Sequence, residues 1–164
     1  MKPAELLELL RALYKDKSAL RQRHVAAARV VGDYNFNNTY QYVINREEIQ
    51  LQWLHDAIAE LGGSPDEAPA AEVHTSGKAA AAQAAVVRED RDSAQGFVDR
   101  WRGRIETVTN ARNKIMLGVI LGETLEAKRF FDQMIAGRDD LLGRRADGMG
   151  TPGHVLPTRW VGDR

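Results

Sequence analysis

NFNNTYQYVINREEIQLQWLHDAIAELG, residues 35–62, reads as one long helix whose buried stripe is interrupted by an acid. Tyr40, Val43, Ile44, Glu47, Leu51, Leu54, Ile58 and Leu61 recur at spacings of three and four, the spacing that puts residues on one helical face. Glu47 therefore points where a leucine belongs. A carboxylate taken alone into an apolar interior is strongly unfavourable unless it is paired, protonated or bound to a metal. Some other group must answer it.

Residues 110–137, NARNKIMLGVILGETLEAKRFFDQMIAG, repeat the pattern. Their stripe is Met116, Val119, Ile120, Glu123, Ala127, Phe130 and Met134. At a fixed offset Val43 falls on Val119, Ile44 on Ile120, Glu47 on Glu123, Gln50 on Glu126 and Leu54 on Phe130. Two helices half a chain apart are thus expected to bring a glutamate each to a common depth of one core, an internal repeat of chemistry as well as packing.

Two further helices complete the set. The first opens on Pro3, suited to a first helical turn, and carries Leu6, Leu10, Leu13, Lys17, Leu20, His24, Ala27 and Val31 to a stop at Gly32 and Asp33. Asn35 or Asn37 is expected to cap the second helix, and Gly62-Gly63 ends it. The third begins near Lys78 and presents Val87, Asp90, Ala94, Phe97, Trp101, Ile105 and Val108. Asn110 caps the fourth, which ends near Gly137 with an extension through Leu142. Short turns make each pair an antiparallel hairpin. Between the hairpins, residues 64–76 carry two prolines and no period. Extended at about 3.3 Å per residue they cover roughly 43 Å, enough to run beside a 28-residue helix of about 42 Å. Residues 1–143 are read as the bundle. Residues 144–164 are read as an irregular tail lying on the bundle or a partner through Val155, Leu156, Trp160 and Val161.

Composition narrows the function. The 164 residues suffice for a single core, and the absence of cysteine excludes disulfides and thiolate metal sites. Lysine plus arginine equals aspartate plus glutamate at 23 each, which gives no support to a nucleic-acid partner. No apolar run approaches the roughly 20 residues that span a bilayer, and MKPAELLELL lacks the apolar core of a signal peptide, so a cytoplasmic protein without a membrane partner is expected. No serine or threonine stands beside a plausible His-Asp pair, and no glycine-rich phosphate loop precedes a helix.

Two hairpins, a bundle-length crossover and an acid on each second helix resemble the ferritin-like superfamily, in particular its rubrerythrin and di-iron carboxylate members, over roughly residues 3–137. The resemblance implies an all-α antiparallel four-helix bundle. It also implies a di-metal site made from one glutamate on each of two helices and a Glu-x-x-His pair on each of the others. Glu47 matches such a glutamate, but Gln50 stands where histidine belongs and is a poor ligand for iron. On the fourth helix two registers are open: Glu123 with Glu126, or, one residue on, Thr124 with Ala127. Lys17 and Asp90 are the inward residues of the first and third helices. The ammonium of Lys17 repels a divalent cation and is expected to pair with Glu47 or Glu123.

His24 is read as a core histidine bonded to a tyrosine such as Tyr40, His55 as a rim residue, and His74 and His154 as lacking partners at ligand spacing. Trp53, Trp101, Tyr34, Phe36, Tyr40 and Tyr42 are read as core or subunit-interface aromatics. The preferred reading is a homodimeric binding or structural protein with an eroded carboxylate site, no cofactor being firmly implied. The alternative is an iron or manganese oxidase or ferroxidase that uses Glu47, Gln50, Glu123, Glu126 and Asp90.

Overall fold

The computed structural model describes residues 1–69, 71, 73, 79–138 and 140–142. The expected tail, with His154, and His74 and Lys78 lie outside them. Four helices, α1 (Pro3–Val30), α2 (Tyr34–Glu60), α3 (Ala79–Glu106) and α4 (Ala111–Ile135), account for the regular structure among the described residues. None is long and apolar enough to cross a membrane.

Local chemistry sets most of the boundaries. Pro3 opens α1, and Glu5 folds back so that its carboxylate accepts from the Lys2 backbone N–H at 2.8 Å. Asp33, rather than Asn35 or Asn37, caps α2 by accepting from the Phe36 N–H at 2.9 Å. An aspartate directly after the α1 stop reaches the first free amide before either asparagine can. Asn110 caps α4 as expected, accepting from the Asn113 N–H at 3.0 Å. Gly62 and Gly137 take φ near +76° and +78° where α2 and α4 end, a region open to glycine at little cost. Because Gly137 turns the chain, α4 does not extend to Leu142; the chain folds back and buries Leu141.

The helices form a square in which α1 packs on α2 and α3, and α4 packs on α3 and α2. Every neighbouring pair is antiparallel. Asp16 meets Arg100 while Arg23 meets Asp90, and Glu60 meets Arg112 while Tyr42 meets Phe130. The crossover climbs beside α1, where Asp66 binds Arg11 and the Ala68 carbonyl accepts from Gln22. Its described residues therefore follow α1 as expected of the crossover.

The core has two apolar halves, one around Leu10, Leu13, Phe97, Trp101 and Leu117, the other around Ala27, Tyr40, Val43, Phe131 and Met134. Every residue of the expected α1 and α3 stripes is buried. On α4 the stripe is displaced by one residue: Leu117, Ile120, Leu121, Thr124, Ala127, Phe131 and Met134 are buried, whereas Val119 is exposed and Glu123 and Phe130 are half-buried. Glu47 is thus matched by Thr124 and Leu54 by Phe131, which corrects the expected pairing of Glu47 with Glu123. The cause is the composition of α4: Ile115 to Leu121 is apolar all round apart from Gly118, so a rotation of about 100° leaves an apolar stripe either way.

Candidate functional site

Between the two apolar halves lies a polar layer. Lys17, 1% exposed, donates from Nζ to Glu47 Oε1 at 2.9 Å and to Thr124 Oγ1 at 3.1 Å. Thr124 donates its own hydroxyl to the Ile120 carbonyl at 2.8 Å. The second oxygen of Glu47 lies 2.9 Å from His24 Nδ1. Burial alone would raise the Glu47 carboxyl, but His24 and Lys17 outweigh it and hold the carboxyl at about 2. An ionised acceptor at that distance requires the proton on Nδ1 of His24. The ring's Nε2 has no hydrogen-bond partner and sits among aromatics, 6.2 Å from Tyr40 and 5.3 Å from Phe131 between ring centroids. His24 is therefore buried as expected, but its partner is Glu47 and not Tyr40, because the tyrosine hydroxyl is taken elsewhere.

That hydroxyl goes to Asp90. Fully buried on α3, Asp90 accepts from the Tyr40 hydroxyl and, at 2.6 Å, from Arg23 Nε. Burial pushes its carboxyl above the usual aspartate range against the pull of His24, Tyr40 and Arg23, and burial also raises the Tyr40 hydroxyl. Asp90 is thus one layer along the bundle from Lys17, which stands opposite Phe97 with its ammonium 5.3 Å from that ring. Arg23, beside the α1 stripe rather than on it, completes this buried pair from outside the set of residues that periodicity singles out.

The remaining expected residues meet at the α2/α4 seam. Gln50, buried, donates from Nε2 to Glu123 Oε2 at 2.6 Å, and Arg46 forms an ion pair with the other oxygen of Glu123. Gln50 Oε1 has no partner. Glu126 and Tyr42 stand at the mouth of a niche of about 10 Å³ lined also by Lys17, Glu47 and Gln50, room for about one water molecule. Among the described residues no three histidine, aspartate or glutamate side chains converge as a metal ion would need. His55 lies at the rim. Trp101 and Tyr40 are core aromatics, and the Trp101 indole donates to Asp16 at 2.6 Å.

A square of antiparallel helices, two hairpins joined by a crossover as long as the bundle, with a polar layer inside, is a ferritin-like four-helix bundle. Among solved structures the chain is similar to a mutant of Dps1 from Mycobacterium smegmatis, with a TM-score of 0.60 at 13% sequence identity over 81% of this chain and 96% of that one. At that identity the likeness speaks to the fold. No family model and no curated protein matches the chain.

Proposed function

We propose that this chain is a ferritin-like bundle whose core carboxylate is balanced by an internal ammonium, and that it serves as a homodimeric binding or structural protein rather than as a metal oxidase. The observation that carries this reading is the position of Lys17 Nζ, 2.9 Å from Glu47 and 3.1 Å from Thr124. A cation brought to Glu47 would face that ammonium at close range in a medium that screens poorly. On α4 the inward positions are Thr124 and Ala127, which supply neither carboxylate nor imidazole, and Gln50 is a neutral amide. These donors do not fit a pair of metal ions.

Lys17 supplies the positive charge that a metal would otherwise bring, and His24 fills the second oxygen of Glu47. Such a layer favours one register of the four helices, since sliding any helix by a turn strands a buried charge. Elemental analysis of untreated protein, purified after growth in medium rich in iron and manganese, tests the proposal. It is expected to return no stoichiometric metal. One iron or manganese per chain would instead support the oxidase reading, with Glu47, Gln50, Glu123 and Glu126 around the niche as ligands.

A further inference from the structure

Large apolar side chains exposed away from the ends of the bundle lie, among the described residues, on α2 and α4 alone: Tyr42, Ile49 and Trp53 on one, Ile115 and Val119 on the other. They share a face. The Glu60–Arg112 ion pair and the Tyr42–Phe130 ring contact bracket the seam, which sets Trp53 level with Val119. Ile115, 70% exposed, and Val119, 42% exposed, belong to the stretch of α4 that is apolar nearly all round, and a helix of that kind is ordinarily covered on every side. Gly122, two turns from Ile115, has open space where a Cβ would stand, which leaves room there for another helix.

The charges on this face identify the cover. Seven residues, two helical turns, to either side of Trp53 stand Arg46 and Glu60; seven to either side of Val119 stand Arg112 and Glu126. One end of the face therefore carries an acid on α2 and a base on α4, and the other end carries a base on α2 and an acid on α4. Turning a second copy over about a two-fold axis at the Trp53–Val119 level lays α2 on α2 and α4 on α4, antiparallel. Glu60 and Arg112, paired with each other in their own chain, then oppose the partner's Arg46 and the partner's Glu126, and Arg46 keeps its own pairing with Glu123, so the intrachain pairs join into networks across the axis. A surface that complements its own rotated image is what an isologous dimer requires. Across that axis α2 overlaps its copy from Arg46 to Glu60 and α4 from Ala111 to Ala127, about 20–25 Å of each helix.

We infer that the outer α2/α4 face is where two copies of this chain pack, Val119 against Val119 and Trp53 against Trp53 across the two-fold axis. The inference rests on the homodimer of the proposed function and is independent of the metal-free core. Arg46 and Glu126, which line the niche beside Lys17 and Glu47, lie at the edge of this overlap.

The test uses the full chain, which has no cysteine. Light scattering over a concentration series should give twice the 18.3 kDa chain mass, and Val119→Glu should give the single mass with unchanged helicity. Mild oxidation should link Val119→Cys covalently into dimers and leave Lys15→Cys, exposed on α1, unlinked. A monomeric wild type, its face covered by its own residues 143–164 or by nothing, overturns both the inference and the homodimer. A wild-type dimer that survives Val119→Glu, with Val119→Cys unlinked, overturns this face and leaves the homodimer standing.

Discussion

Replacing Lys17 by methionine keeps most of the side chain's length and removes its charge, which leaves Glu47 in the core with His24 as its remaining partner. Both members of the pair are nearly sealed from water, at 1% and 3% side-chain exposure. Removing one partner of such a pair ordinarily costs about 3–5 kcal/mol, because the other charge stays buried. The Glu47 carboxyl lies at about 2 against an ordinary 4.5 because His24 and Lys17 together outweigh burial, so about 3 kcal/mol of stability at neutral pH rests on the two partners jointly. At about 2–4 °C per kcal/mol for a domain of this size, Lys17→Met should lower the thermal midpoint by roughly 6–20 °C. Glu47→Leu alone should fall in the same range, since it strands the ammonium. Replacing both removes both charges and leaves His24 Nδ1 without its acceptor, a loss of about 1–3 kcal/mol. The double variant should therefore be more stable than either single variant. Thermal unfolding by circular dichroism completes the cycle. Additive losses, with the double variant the least stable of the three, would refute the pairing.

The acid dependence of stability has a fixed sign. Because the Glu47 carboxyl is lower in the fold than in the unfolded chain, its contribution is complete above about 4.5 and is lost as pH falls toward about 2; urea unfolding of Lys17→Met/Glu47→Leu across that window should be flatter than wild type. Asp90 acts oppositely, since its raised carboxyl favours the fold at low pH and that favour is lost as pH rises through its folded value. Wild type should accordingly gain stability relative to Asp90→Asn as the medium is acidified, and a constant difference would contradict this. Asp33→Ala removes the α2 cap and should cost about 1 kcal/mol in chemical unfolding. Gly96→Ala, inside α3 with nothing near the added methyl, should stabilise by about 0.5–1 kcal/mol.

The sequence carried the fold through periodicity. Unbroken stripes from Leu6 to Val31 and from Val87 to Val108 mapped onto buried faces residue for residue, because each helix has a polar side that leaves one orientation open. It also carried the Lys17–Glu47 pair, since a lysine and a glutamate at matching depth on adjacent inward faces have few other ways to be satisfied. α4 was different. Between Ile115 and Leu121 only Gly118 is not a large apolar residue, so periodicity could not choose between Glu123 and Thr124, and the internal repeat favoured the wrong one. The true match, one residue on, pairs Val43 with Ile120 and Leu54 with Phe131, all buried. Arg23 escaped notice for another reason. It lies beside the α1 stripe rather than on it, and its reach to Asp90 on α3 depends on how two helices pack, which spacing within one helix does not encode.

The central claim is that an ammonium, and no metal, answers Glu47. Crystals of untreated protein, measured at the iron and manganese absorption edges, test it most directly. No anomalous density is expected within coordination range of Glu47, and Lys17 Nζ is expected in hydrogen-bond contact with both Glu47 and Thr124. An anomalous peak bound to Glu47, with Lys17 turned away from it, would contradict the account.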